Sequence, residues 1–292
     1  MSDVPSQLVS AFVKLNEKIK TDVSGQYGHT VRIKTNGVEI SNENLDCEFN
    51  IPFDDDTEAN EATITVYNLS DSTLSKIVKK KKITVEAGYG DDTGIIFSGF
   101  ITKKKTKYSN CDKSTTITAL DCKKLKEHNI KQKSFGKNTK ASTILKWLVK
   151  QVDLPLACFK IKRDHTYKDS QNVSGGLMDN IKKFAKICGV SAYILKSKIY
   201  VRPLNTGENT YFELSYDTGL TDLEDFSVSE KNEKFKDKYH GYKMKMLLQH
   251  RIQTASIINL NTPHAKGNFR VRSGTHSYDG TNMMTEVEAI EY

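Results

Sequence analysis

Residues 6–20 place Leu8, Phe12, Leu15 and Ile19 at four- and three-residue steps, with Val9 and Val13 beside them, which predicts an amphipathic helix. A polar stretch, Thr21–Gly28, follows as a linker. From about His29 the period becomes two. Val31-Arg-Ile33, Cys47-Glu-Phe49-Asn-Ile51, Ala62-Thr-Ile64-Thr-Val66, Ile83-Thr-Val85-Glu-Ala87, Ile95–Thr102 and Thr115–Leu120 read as six short strands. Turn signals at Asn36-Gly37, Asn68–Asp71, Gly90–Asp92 and Ser109-Asn110 divide them. Such a run predicts a small antiparallel barrel or sandwich.

The middle of the chain changes period again. Thr139–Val152 carries Ala141, Ile144, Leu145, Leu148 and Val152 on one helical face and stops at Leu154-Pro155. A second helix is expected from Ser174, as N-cap, through Leu177, Ile181, Phe184, Ala185 and Cys188 to Gly189. Val190–Leu195 and Lys198–Pro203 then form a hairpin about Lys196-Ser197. Beyond Asn205 strands return at 210–215, 223–229, 238–248, 254–260, 269–272 and 283–290. In the last of these, Val287 and Ala289 alternate with acids, as one face of a sheet does. The fold expected is mainly β with an α/β insert. It divides into an N-terminal helix and linker (1–28), a first β-barrel (29–123), an α/β insert (124–207) and a second β-barrel (208–292).

Composition supports packed cores: 37% of the 292 residues are hydrophobic and Pro occurs only five times. The net charge of +8 is local, because residues 103–140 hold twelve lysines against Asp112, Asp121 and Glu127. Basic residues elsewhere are balanced, and most are Lys rather than the Arg that base and phosphate readers favour. A solvated Lys-rich surface is therefore the expectation, with a nucleic-acid-binding module on 103–140 as the alternative. Five cysteines without a CxxC pair argue against a disulfide framework or zinc ribbon, and for a reducing cytoplasm. No secretory signal is read at Met1-Ser2-Asp3, and the longest apolar stretch, Gly94–Ile101, is too short to span a bilayer.

No residue pattern meets the geometric roles of an active site, so no catalytic, cofactor-binding or metal-binding residue is assigned. Asp54-Asp55-Asp56-Thr57-Glu58 lacks the central Gly and the distant Glu of a calcium loop, and reads as a solvated hairpin loop. Cys188 on an apolar helix face reads as a structural thiol, and Trp147 as packing. Ser174-Gly175-Gly176 lacks the Gly-Lys-Ser/Thr of a phosphate loop. A cell-wall hydrolase using a Cys–His or carboxylate pair remains a weaker alternative. Lys79–Lys82 and Lys103–Lys105 read as solvated strand ends, or as a surface facing acidic groups.

Three stretches together resemble the tail hub proteins of contractile phages and of defective-prophage or bacteriocin particles. The first runs from Phe49-Asn-Ile51 and Ala62–Ser70, with its Tyr67-Asn-Leu-Ser, to Ile83–Tyr89 and Ile96–Ile101. The second is Ser174–Pro203, where the hairpin turn is Lys-Ser rather than a Gly turn. The third is Gly267–Ser273 with Thr275–Tyr278 and Thr285–Ala289. The resemblance spans about residues 30–292. It implies two tube-like barrels flanking an insert, a homotrimer, and a structural role without enzymatic activity between tail tube and spike. Implied partners are the spike, the tail tube or its initiator, baseplate wedge proteins and DNA in transit through the channel. Assembly in the bacterial cytoplasm and residence in the particle's baseplate follow from the same likeness.

Overall fold

The computed structural model describes residues 28–109, 112–122, 129–208, 211–231 and 236–292. The helix expected at 6–20 and its linker lie outside them, save Gly28. Alternation becomes strand wherever it was read. In β1 (His29–Thr35) Val31, Ile33 and Thr35 point inward. Asn36 and Gly37, both at positive φ, turn the chain into β2 (Val38–Ser41), as a two-residue hairpin requires. β3 (Cys47–Phe53), β4 (Glu61–Tyr67), β5 (Lys82–Tyr89), β6 (Asp92–Ser109) and β7 (Asp112–Leu120) complete the first region. Between β4 and β5 stands a short helix, α1 (Asp71–Lys76), where a turn was expected. Ser70 caps it by accepting from the Thr73 N–H.

In the insert, β8 (Asn129–Phe135) pairs with β10 (Gln171–Gly176). α2 (Ala141–Lys150) packs its expected apolar face against α3 (Leu177–Ile187). β11 (Ser191–Leu195) pairs antiparallel with β12 (Lys198–Arg202), and β12 runs parallel to β9 (Leu156–Phe159). Ser174 is not the α3 cap. It lies in β10, and the chain turns at Gly175 (φ 87) to begin the helix after Gly176. The Asn180 amide instead reaches back to the Ser174 and Gly176 carbonyls, at 2.9 and 2.7 Å.

The second region holds β13 (Tyr211–Leu214), β14 (Leu220–Lys231), β15 (Lys236–Leu247), β16 (Ile257–Asn261), β17 (Lys266–Tyr278) and β18 (Met283–Glu291). The two β regions, expected as separate units, share one 13-stranded sheet in the order β14-β15-β18-β17-β3-β4-β7-β6-β5-β1-β2. The joint is the antiparallel pairing of β3 with β17, which sets Ile51 against His276 and Phe49 against Tyr278. β16 and β13 branch from β17. Among the described residues no ladder joins β2 to β3 or β13 to β14, so neither region is closed by backbone hydrogen bonds.

Three large apolar cores result, one within β1–β7, one within the insert and one within β13–β18, with a small fourth of Tyr193, Leu195 and Ala255 between the insert and the second β region. They interlock at the joint. Leu248, Tyr278 and Met283 enter the first core, while Phe53 enters the third.

Candidate functional site: an acidic loop where three cores meet

The loop after β3 folds on its own side chains. Asp54 Oδ1 accepts from the Asp56 N–H at 2.9 Å, and Asp56 Oδ1 from the Thr57 N–H at 2.6 Å, the local bonding that suits Asp to turns. Asp56 and Glu58 are exposed, as expected of a solvated loop, but Asp55 is not. Asp55 keeps only 9% of its side chain exposed, beneath Arg270 (Nη1 at 2.7 Å) and Arg272 (Nη2 at 3.2 Å), which project from β17 two residues apart. Two guanidiniums thus neutralise this buried carboxylate.

The same loop ties down the insert. Ser191 Oγ donates to the Asp55 carbonyl at 2.8 Å and the Ile194 N–H to that of Asp56 at 3.2 Å. Lys182 on α3 pairs with Asp56 at 3.0 Å and Glu58 at 3.7 Å. Burial pushes the Asp56 carboxyl upward, but Lys182 and the Thr57 N–H outweigh it and hold the group below its ordinary value. Thr254 Oγ1 donates to the Asp54 carbonyl at 3.0 Å, adding a contact from the second β region. At the loop's far end Asn60 donates twice to Asp121, each at 3.1 Å. Burial nevertheless pushes the Asp121 carboxyl up to about 6.

Arg270 is fully buried and continues the contact into a layered stack. Its Cζ stands 6.0 Å from the Tyr193 ring, and Tyr193 stacks on Tyr200 at 5.1 Å and 4°. Arg202, paired with Glu208, lies 5.1 Å from the Tyr200 ring. Cation–π contact of this kind fixes the β11–β12 hairpin on β17.

A second clamp crosses the joint at the β5–β6 turn. Asp92 takes Arg251 at 2.6 Å and His250 at 3.0 Å, and Arg251 first, then His250, lowers its carboxyl to about 2 despite partial burial. Gly94 permits this approach, since a Cβ there would sit 2.1 Å from His250 Nδ1. Beneath it, His276 is buried, with Nδ1 2.8 Å from Thr285 Oγ1 and Nε2 3.1 Å from the Ile252 carbonyl. A carbonyl can only accept, so Nε2 carries the proton and Nδ1 accepts from Thr285. Burial lowers the imidazole to about 4.

The remaining sequence candidates are spread apart. Lys79–Lys81 are exposed at the turn before β5 and Lys82 at its first position, and Lys103 and Lys105 are exposed on β6. Lys104 turns inward and donates to the Leu74 carbonyl. Trp147 packs edge-on against Phe135 at 5.7 Å. Burial pushes the Cys47 and Cys122 thiols up to about 11 and that of Cys188 to about 12, the opposite of an activated nucleophile. Cys158 is half-buried and Cys111 lies outside the described residues. No described helix is long and apolar enough to cross a membrane. The loop's role was missed because its arginine partners stand 215 and 217 residues away. Only the position of Arg270 between Phe269 and Val271, where all three are buried, hints at an acidic partner.

The shape of the chain is shared with known tail proteins. A tail protein from Neisseria meningitidis MC58 aligns with a TM-score of 0.58 at 10% identity, over 91% of this chain and 97% of its own. The prophage MuSo2 43 kDa tail protein from Shewanella oneidensis aligns at 0.60 and 8%, over 90% and 98%. An E. coli component of the type VI secretion system, described as similar to T4 bacteriophage tail proteins gp27 and gp5, aligns at 0.55 and 10%, over 89% and 76%. At such identities the likeness concerns the fold. No curated protein matches the chain. The sequence family described as baseplate hub gp41 matches residues 29–273, and with most of its length inside that match the chain belongs to this family of structural tail proteins.

Proposed function

We propose that this chain is the structural subunit that joins a tail tube to a central spike, as a homotrimer lining the channel of a contractile particle. The observation that carries this reading is the construction of the joint. Two β regions of similar size share one sheet, and the acidic loop locks the insert to both. Such a unit transmits load through ladders and buried ion pairs rather than through a hinge. Three copies would present six β units, the number that meets a hexameric tube ring. Each copy divides into an N-terminal segment (1–28), two barrel-like halves (29–123 and 208–292) and the insert (124–207). Spike, tube or tube-initiator and baseplate wedge proteins are its partners in this reading, and DNA crosses its channel. It is assembled in the cytoplasm and resides in the baseplate.

No residue is assigned to catalysis, metal or cofactor binding. Highly purified protein is expected to leave peptidoglycan intact in a zymogram. Activity abolished by one substitution would overturn the non-enzymatic reading. Electron microscopy of the assembled particle tests the architecture: three copies in a ring between tube and spike are expected. Six copies per ring, or one bound at the side, would refute it.

A further inference from the structure

One face of the large sheet runs without interruption from β14 to β6, seven strand spacings or roughly 34 Å. Alternate residues on this face give it two electrical ends. On β6, past the bulge at Ile101/Lys103, this face carries exposed Lys103, Lys105 and Lys107, with Ser109 beyond them. They stand beside Thr118, Thr116 and Ser114 of β7, and those beside Thr63, Thr65 and Tyr67 of β4. The carboxylates met on crossing are Asp112 at the start of β7, Glu61 at the start of β4 and then Glu48 of β3, which accepts from the Tyr67 hydroxyl at 2.9 Å.

The other end is a cleft of about 550 Å³ on β14, β15, β18 and β17. Its charged lining is Asp54, Asp222, Glu224, Glu286 and Glu288 against Lys243 and Lys245. Lys245 pairs with Glu286 at 2.8 Å and Lys243 with Glu288 at 3.8 Å. Asp222 and Glu224, on the edge strand, face the same two lysines from the other side in register. Three carboxylates therefore exceed the local lysines, whereas at the far end three lysines exceed Asp112, the one carboxylate on the adjoining face of β7.

We propose that the Lys103–Lys105–Lys107 row of one copy docks against the acidic β14–β15–β18 cleft of a second copy of this chain. The proposal rests on the trimeric hub reading and names its contact surface. The occupant is a second copy because both complementary surfaces lie on one face of one chain and are opposite in excess charge. A contact between two different patches is heterologous, and it closes into a ring when the rotation allows. Charge complementarity also fixes its direction, since row-to-row and cleft-to-cleft pairings set like charges together.

The test uses the full chain and three variants. K103E/K105E/K107E and D222K/E224K each change exposed side chains, so melting temperature should stay near that of the wild type. Sedimentation should show each variant self-associating on the order of a hundredfold more weakly. The combined five-site variant, with both signs exchanged, should recover association. Full association in either single-face variant would overturn the proposal, as would failure of the combined variant to recover while it melts normally. So would a K103E/K105E/K107E variant that loses only DNA retention. If the wild type is monomeric in solution, a Lys105→Cys, Glu224→Cys variant in the assembled particle decides. An interchain disulfide supports the contact. A three-copy ring without that disulfide overturns it and leaves the hub reading standing, whereas absence of the chain from the baseplate defeats the hub reading.

Discussion

Asp55 and Arg270 form a buried pair whose loss leaves a charge with nowhere to go. Asp55→Ala strands Arg270, which has no exposed surface, and is expected to destabilise the protein by about 3–5 kcal/mol. Lys182→Ala breaks a pair that is 35% and 49% exposed and should cost less than about 1 kcal/mol. Urea unfolding of the two variants checks the contrast. Two other buried groups set opposing pH slopes. His276 titrates near 4 when folded against an ordinary 6.5, so the unfolded chain binds its proton first and stability falls as pH drops from 6.5 toward 4. Asp121 titrates near 6 when folded against 3.8, so the folded chain binds first and stability rises as pH drops from 6 toward 4. His276→Asn should leave stability rising on acidification through that window, and Asp121→Asn should leave it falling. Unfolding free energies at pH 4, 5, 6 and 7 separate the two. None of these partnerships is visible in local sequence. Asp55 looks as solvated as its neighbours because composition carries no trace of arginines on a strand more than 200 residues away.

At the scale of elements, β18 shows how much alternation can say. Val287 and Ala289 are buried while Glu286 is exposed, as their spacing predicts. What alternation does not give is the strand's position between β15 and β17, in the interior of the sheet. Removing residues 283–292 would open two edges and strip Met283 and Ile290 from buried positions. The truncated chain is expected to lose its cooperative melting transition, and calorimetry checks this. Helices α2 and α3 were legible from their stripes. β8 was not, because only Ile130 of its seven residues is buried, and β9 was not, because none of its four is. α1 escaped because it has no buried residue at all; its Ser70 cap is the one local sign. The glycines before α3 moved its start by making a turn where a serine cap was expected.

For the whole molecule, the succession of β region, insert and β region could be read from changes of period, and the resemblance to tail hubs rested on that order. The β3–β17 joint could not, since register between distant strands leaves no periodic mark. The joint makes the halves interdependent. Residues 29–207 alone would leave β3 with an open edge and the first core without Leu248, Tyr278 and Met283. That fragment is expected to stay unfolded when produced alone and to fold when co-produced with residues 208–292, as proteolysis and circular dichroism would show. The joint also sets a timetable for synthesis. β3 emerges from the ribosome early, but its partner β17 is delivered only after more than 200 further residues. Through that interval the nascent chain carries an unfinished sheet edge, so it reaches a form that can be built into a particle only when translation is nearly over.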